Sequence, residues 1–156
     1  GKMKNQFVKN LNLLNQNFKE VFKELFGGGD AQILLQNPDD PLQSGIEIVA
    51  QPPGKKLQNL SLLSGGERAL TAIAILFAIL KLKPTPFCVL DEIEAALDDA
   101  NVERFANYLK KLSKKTQFIV VTHSKGTMEV CQTLYGVTME KNAVSKLVSV
   151  RLEDAS

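Results

Sequence analysis

Residues 87–98, Phe-Cys-Val-Leu-Asp-Glu-Ile-Glu-Ala-Ala-Leu-Asp, decide the predicted fold. Phe87–Leu90 is a short, wholly apolar run, the pattern of a strand that is covered on both faces. Asp91 and Glu92 follow at its carboxyl end, where open α/β sheets bind ligands. An acid there suits Mg²⁺, and a neighbouring glutamate can deprotonate an attacking water. Because further acids follow closely, a surface turn rich in acids is the alternative interpretation.

The segments after this stretch continue the alternation of helix and strand. An amphipathic helix is predicted from about Asp99, followed by a second apolar strand, a short helix and a final hairpin. The strand is Gln117–Thr122, the short helix is Lys125–Gln132, and the hairpin pairs Tyr135–Glu140 with Val144–Leu152 through a turn at Lys141-Asn142. This alternation predicts an α/β fold with parallel central strands.

A long helix is predicted before the first apolar strand, from Ser64 to about Leu82. Ser64 and Glu67 have the spacing of a capping box. Gly65 and Gly66 lie between them and cost helix stability, roughly 1 kcal/mol each. They also leave a bare helix N-terminus, whose N–H groups can approach an anion such as a phosphate closely. A purely structural cap and an anion site therefore remain the two interpretations.

The single histidine, His123, follows the second apolar strand. In a parallel sheet this position lies beside the carboxylates that end the first strand. There the imidazole could hydrogen-bond a terminal phosphate or an attacking water. A structural or merely exposed histidine is the alternative.

The N-terminal segment predicts a helix with a coiled-coil rhythm. Its apolar residues are spaced 4, 3, 4, 3 and 4 apart, and they are Phe7, Leu11, Leu14, Phe18, Val21 and Leu25. Gly27-Gly28-Gly29 then ends the helix. An amphipathic helix packed on its own domain fits the same pattern. Two strand candidates follow, Ala31–Gln36 and Gly45–Gln51, and after them an exposed loop.

Composition sets only broad limits. A chain of 156 residues with 44% hydrophobic and 23% charged residues suits one domain with a core. The net charge of +2 neither demands nor excludes nucleic acid, and the basic runs fit a solvated surface better than a DNA contact. Two cysteines do not make a disulfide framework and suit a reducing cytosol. The longest apolar run, Leu70–Leu82, is too short to span a bilayer.

Taken together, these motifs occur in an order that resembles the ABC-type ATPases. Ser64-Gly65-Gly66-Glu67 resembles the signature motif, Asp91-Glu92 the Walker B motif, Ala96-Leu97-Asp98 the D-loop and His123 the H-loop. The run from Asp91 to Asp98 looks specifically like that of SMC (structural maintenance of chromosomes) proteins. So do three other stretches: Gly27-Gly28-Gly29, Gln51-Pro52-Pro53-Gly54-Lys55-Lys56 and Tyr135-Gly136-Val137-Thr138-Met139. The resemblance is closest to bacterial SMC proteins.

The resemblance implies a fold class and a division of the chain. Residues 1–26 would be the end of the C-terminal coiled-coil arm, and residues 27–156 the C-terminal lobe of an ABC-type P-loop NTPase head. The sequence has no G-x-x-x-x-G-K-[ST] P-loop, because Gly54-Lys55 is flanked by Val49 and Lys56 where the motif requires glycine and serine or threonine. In SMC proteins an N-terminal segment carries that loop. The chain alone is therefore expected not to hydrolyse ATP.

The resemblance also implies a role for each site residue in the full dimer. Asp91 would support Mg²⁺ for an ATP held by the N-terminal half of the same head, Glu92 would activate water, and His123 would contact the γ-phosphate. The signature residues Ser64, Gly65, Gly66 and Glu67 of the opposite head would bind that nucleotide, and Asp98 would couple the two sites. Helix and strand lengths suggest that Ser64 and Glu92 do not flank one nucleotide within a single molecule.

The implied partners are the N-terminal half of the same head, a second head in a homodimer, the winged-helix domain of a kleisin subunit and, in the full complex, DNA. The implied location is the cytoplasm, at the bacterial nucleoid, with no membrane partner. Two other ATPases compete with this interpretation: a transporter domain, which the heptad disfavours, and a zinc-hook DNA-repair ATPase, which Tyr135–Met139 disfavours. A docking platform without enzymology of its own is the third alternative.

Overall fold

The computed structural model describes residues 2–139 and 145–151. Within these residues the chain forms four α-helices and seven strands. The helices are α1 Lys2–Phe26, α2 Gly65–Leu82, α3 Asp99–Leu112 and α4 Lys125–Glu129. The strands are β1 Asp30–Leu35, β2 Ile46–Gln51, β3 Gln58–Asn59, β4 Phe87–Asp91, β5 Gln117–Val121, β6 Thr133–Met139 and β7 Ser145–Arg151. The predicted hairpin turn at Lys141-Asn142 lies outside the described residues.

The strands form three small sheets. β1, β2 and β3 are antiparallel neighbours, β4 and β5 are parallel, and β6 and β7 form an antiparallel hairpin. The predicted parallel pairing of the two apolar strands is confirmed, with Leu90 opposite Val120. The short strand β3 and a 3-10 turn at Leu60–Leu62 were not predicted, and α4 ends at Glu129 rather than Gln132. These differences concern short elements, whose periodic signal is weak.

Helix α1 ends where the three glycines begin, as predicted. Gly27, Gly28 and Gly29 all have positive φ angles, which glycine adopts without steric cost. Gly29 is also required by space, since a Cβ there would lie 2.1 Å from the Gln51 carbonyl oxygen. The glycine run thus lets the chain reverse from α1 directly into β1.

The core lies between α1, α2 and α3. Phe77 of α2 is fully buried and stacks against Phe105 and Tyr108 of α3, with ring centroids 5.9 and 5.4 Å apart. Three polar contacts also tie α1 to the other two helices. These are Lys81 with Glu20, Lys111 with Glu24 at 2.7 Å, and the Arg104 guanidinium donating to the Phe26 carbonyl oxygen at 3.0 Å.

The heptad of α1 divides along the helix. Phe18, Val21 and Leu25 are fully buried in the core, whereas the earlier heptad residues are only partly buried. Phe22 and Phe26, which lie outside the heptad, are buried as well, so this end of α1 packs as an ordinary domain helix. The assignment of the first turns of α1 to a coiled-coil arm stays a prediction.

The strands β4 and β5 are covered on one face only, which corrects the prediction of two covered faces. Leu90 is buried and Phe118 packs on the core, but Phe87, Val89 and Ile119 each expose more than half of their surface. Within the described residues, this outer apolar face is therefore largely open to solvent. The sequence pattern is that of a doubly covered strand, and this chain supplies only one of the two covers.

Candidate active site at the ends of the parallel strands

The turn after β4 is held in an unusual backbone conformation. Glu92 has a φ of +48°, a left-handed value that costs a non-glycine residue roughly 1–3 kcal/mol. Its N–H donates to the Val121 carbonyl oxygen at 2.9 Å, so the turn is fixed to the end of β5. Strained residues of this kind cluster at functional sites. Asp91, the last residue of β4, is exposed just before it.

His123 lies beside Glu92, as the parallel pairing predicts. His123 Nε2 is 2.7 Å from Glu92 Oε1, a hydrogen-bonding distance. Both side chains remain accessible, with 88% of the histidine side chain and 45% of the glutamate side chain exposed. An acid–imidazole pair therefore faces solvent at the carboxyl ends of β4 and β5.

Asp98 closes the same turn and begins α3. It is the N-cap of α3, and its Oδ1 accepts a hydrogen bond from the Asn101 N–H at 2.9 Å. The side chain of Asp98 is exposed, and its role in coupling two sites stays a prediction.

Glu94, one of the acids that follow Glu92 in the sequence, is buried rather than part of an acidic surface. Its side chain is 3% exposed, and one carboxylate oxygen accepts a hydrogen bond from Thr122 Oγ1. No periodic signal marks a buried acid within an acidic run. Thr122, a polar residue directly before His123 at the end of an apolar run, is the only sequence hint of such a contact.

Glu92 and His123 lie at an open cavity of about 550 Å³. Its lining comes from the turn after β4, from the start of α3 and from the turn after β5, and it includes Glu92, Glu94, Leu97, Glu103, His123 and Lys125. The cavity is thus formed by the two turns that follow β4 and β5 and by the start of α3.

The start of α2 has the predicted capping box. The Ser64 N–H donates to Glu67 Oε2 at 3.0 Å, and the Glu67 N–H donates to Ser64 Oγ at 3.3 Å. The fold gives no reason for the two glycines between them. Neither has a positive φ, a Cβ on Gly65 would meet open space, and a Cβ on Gly66 would make only a 3.4 Å contact with the Ala96 carbonyl oxygen.

Glu67 has a second partner that was not predicted. Lys55 Nζ, from the loop after β2, lies 2.7 Å from Glu67 Oε1. The hydrogen bond from this ammonium lowers the pKa of Glu67 below its ordinary value, and the hydrogen bonds with Ser64 contribute less to the shift. Partial burial acts in the opposite direction. Lys55 lies in a loop predicted to be exposed, and a contact between residues so far apart in the chain leaves no local pattern in the sequence.

Metal binding by this chain would rest on Asp91. Among residues 2–139 and 145–151, no group of three or more histidine, cysteine or acidic side chains converges. Asp91 is an exposed carboxylate at the end of β4, and a lone acid is compatible with the predicted role, because Mg²⁺ is commonly held by one or two carboxylates together with waters and substrate phosphates. In the same residues no helix is long and apolar enough to cross a membrane.

Sequence comparison relates the chain to proteins of chromosome partition. A family model described as the RecF/RecN/SMC N terminal domain matches residues 5–146. The chromosome partition protein Smc of Bacillus subtilis is 67% identical over 141 residues, which are 90% of this chain and 12% of that protein. The chain therefore spans about an eighth of the length of such relatives.

Solved structures give the same relationship at the level of the fold. One chain, from work described as the structural biochemistry of ATP-driven dimerization and DNA stimulated activation of SMC ATPases, superposes with a TM-score of 0.89. It is 45% identical, and the match covers 97% of this chain and 92% of that one. An Smc head bound to the C-winged helix domain of ScpA superposes with a TM-score of 0.89 and is 47% identical. That match covers 97% of this chain and 46% of the head.

Proposed function

This chain belongs to the RecF/RecN/SMC family, whose model matches residues 5–146, and on that premise we propose that it is the C-terminal half of an SMC ATPase head. In that role it supplies the signature motif and the Walker B acids for ATP-dependent pairing of two heads and for ATP hydrolysis in chromosome condensation and segregation. A P-loop from the N-terminal half completes each nucleotide site. That the chain covers 46% of a solved Smc head supports the assignment to half a head.

The observation that carries the proposal is the pair formed by Glu92 and His123. Their 2.7 Å contact lies at the carboxyl ends of two parallel strands, where α/β sheets bind ligands. Glu92 is the proposed general base: with one oxygen on His123, its other oxygen accepts the proton of the attacking water. His123 is proposed to contact the same water or a terminal phosphate. Asp91, one residue earlier, is the proposed ligand of Mg²⁺, which when bound would offset phosphate charge.

The start of α2 is the proposed contact with the γ-phosphate of a nucleotide on the opposite head. Gly65 and Gly66 cost helix stability, and neither φ nor packing requires them. Their bare N–H groups suit an anion, and the Ser64 hydroxyl adds a further polar group. Glu67 orients this helix start through the capping box, and Asp98 is proposed to couple the two sites across the interface.

The outer face of β4 and β5 is the proposed contact with the N-terminal half of the head. Phe87, Val89, Ile119 and Val121 form an exposed apolar surface on a two-stranded parallel unit. Such a surface is unfavourable in water and is typical of a sheet that continues into another segment. The solved head that is about twice as long as the region matched here supports this arrangement.

The hairpin β6–β7 is the proposed docking surface for a kleisin winged-helix domain. Tyr135, Val137 and Met139 on β6 are each more than 60% exposed, and apolar residues of β7 are exposed as well. A related Smc head has been solved bound to the C-winged helix domain of ScpA, which supports this partner. DNA, as a partner of the full complex, and a bacterial cytoplasmic location at the nucleoid complete the proposal.

The proposal is tested with a reconstituted head, defined as this chain co-expressed with the P-loop segment of the same protein. Glu92→Gln should lower ATP turnover by about 10²-fold or more while ATP-driven pairing of heads persists. Glu103→Gln, which changes another acid lining the cavity, should leave turnover unchanged. Ser64→Arg should abolish pairing and retain nucleotide binding by a single head. If the isolated chain hydrolyses ATP at a normal rate, the proposed division of the site is wrong.

A further inference from the structure

Glu94 is a buried carboxylate whose hydrogen-bonding capacity is only partly used within the described residues. The side chain is 3% exposed, and its Oε2 has no hydrogen-bond partner among the described residues. Burying an acid with an unsatisfied oxygen costs free energy. Stabilisation of the fold therefore does not explain why the turn after Glu92 contains a buried acid.

The hydrogen bonds of Glu94 lead to the turn that carries His123. Thr122 Oγ1 donates to Glu94 Oε1 and accepts the Ser124 N–H at 2.9 Å. A hydroxyl has one proton, so the carboxylate fixes its direction and leaves a lone pair for the Ser124 N–H. The residues on both sides of His123 are therefore fixed by one chain of hydrogen bonds that starts at Glu94.

The same acid belongs to the turn that carries Glu92. Glu94 lies two residues after Glu92, and its carbonyl oxygen accepts the Leu97 N–H at 2.9 Å, so its own backbone is part of that turn. One residue therefore connects the two loops whose side chains meet at the 2.7 Å contact between Glu92 and His123.

We propose that Glu94 is a positioning residue, which sets the His123 turn through Thr122 and so holds His123 against Glu92. The proposal rests on the proposed function for the chemistry that this pair performs, but the positioning itself is a property of the turn. Displacing a catalytic group by about 1 Å can cost on the order of 10²-fold in rate. Loss of this chain of hydrogen bonds should therefore lower kcat more than it changes KM.

The experiment uses the full-length protein and measures ATP turnover, ATP-driven head pairing and amide hydrogen exchange in the segment that contains Ser124. Thr122→Val removes the hydroxyl at nearly constant volume, and Thr122→Ser retains it. For Thr122→Val we expect kcat to fall about tenfold or more, KM and head pairing to stay near wild type, and exchange at Ser124 to accelerate. Thr122→Ser should restore all three towards wild type.

Glu94→Ala should reproduce the effect of Thr122→Val, and the double variant should be no slower than the slower single variant, because both act through one chain of hydrogen bonds. Glu94→Gln, which keeps an oxygen acceptor, should lose less than Glu94→Ala. If Glu94→Ala does not fold, the two Thr122 variants still decide the result.

Wild-type kcat and exchange in Thr122→Val, or additive losses in the double variant, would overturn the positioning role. If the wild-type protein hydrolyses no ATP, or if Glu92→Gln is as active as wild type, the proposed function fails instead. The exchange measurement still decides the positioning role in that case, because it does not depend on turnover.

Discussion

Lys55 Nζ lies 2.7 Å from Glu67 Oε1, while the other oxygen of the same carboxylate accepts the Ser64 N–H. The loop after β2 is therefore attached to the start of α2, next to the two glycines proposed to contact phosphate. Glu67 places a negative charge close to a helix start that is proposed to bind an anion. The Lys55 ammonium offsets this charge at the same point.

Replacing Lys55 with methionine should make the free energy of unfolding vary less with pH in the acidic range. Lys55 lowers the pKa of Glu67 in the folded state, so the ion pair stabilises the fold above the unfolded pKa of about 4.5 and is lost as the pH falls through the lower folded value. Lys55→Met should lower the free energy of unfolding by about 1 kcal/mol or less at neutral pH. The difference from the wild-type value should become smaller below about pH 4.5. Denaturant titrations of the reconstituted head across this pH range measure the effect. Lys56→Met is the control, and an equal pH dependence in both variants would refute the prediction.

Alanine at positions 65 and 66 should separate stability from function. Both glycines are helical residues of α2 with room for a Cβ, so Gly65→Ala and Gly66→Ala should each raise the free energy of unfolding by up to about 1 kcal/mol. The added methyl groups would obstruct close approach of a phosphate, and ATP-driven head pairing should weaken. Denaturation and cross-linking of heads measure the two effects. Pairing at wild-type strength in the double variant would favour a purely structural cap.

Glycine at position 92 should have opposite effects on stability and activity. Glu92 holds a φ of +48°, which glycine adopts freely, so Glu92→Gly should raise stability by about 0.5–1 kcal/mol while abolishing turnover. Glu92→Gln, which keeps the strained conformation, should lose turnover without gaining stability. A less stable Glu92→Gly variant would mean that the turn is not strained.

A charge on the outer face of β4 should block assembly of the head. Val89 is 56% exposed in this chain, so Val89→Lys should disturb its own fold little. An unpaired lysine buried against a second segment is costly, and co-purification of the P-loop segment should fall at least tenfold. Val137→Lys on the β6–β7 hairpin, 72% exposed, is the matched control and should leave that association intact. Equal association in the two variants would exclude this face as the contact.

The hydrogen bond from Arg104 to the end of α1 should contribute more to the free energy of unfolding than the ion pair between Lys111 and Glu24. Its guanidinium donates to the Phe26 carbonyl oxygen at 3.0 Å, a charge-assisted bond to a helix C-terminus, so Arg104→Met should cost about 1–2 kcal/mol. Lys111→Met removes an exposed ion pair with Glu24 and a cation–π contact with the Tyr108 ring at 5.5 Å, and should cost about 1 kcal/mol or less. Urea denaturation of both variants makes the comparison, and equal losses would contradict it.

Much of this fold can be predicted from hydrophobic periodicity and from the residues that start and stop helices. The capping box predicted the start of α2, the glycine run predicted the end of α1, and the apolar run from Gln117 predicted the strand that brings His123 to Glu92. These predictions succeed because each depends on neighbouring residues or on one parallel pairing.

The features that sequence reasoning missed depend on distant contacts. The buried Glu94 is hydrogen-bonded by Thr122, and Glu67 forms an ion pair with a lysine in a separate loop. The exposed face of β4 was missed for a different reason. An apolar sequence indicates that both faces of a strand are buried in the complete protein. It does not show whether the same chain supplies the residues that bury them.

Helix α1 runs without a break from its buried end at Phe26 to its exposed start at Lys2. Its 25 residues extend about 37 Å at 1.5 Å per residue. Helices α2 and α3 contact the buried end of α1, and Asn15 in its middle pairs with the Ile33 backbone of β1, so a reorientation of these elements would turn the whole helix with them. A tilt of about 10° would displace the Lys2 end of α1 by roughly 6 Å. The displacement would grow in proportion to the length of any helix that continues from that end.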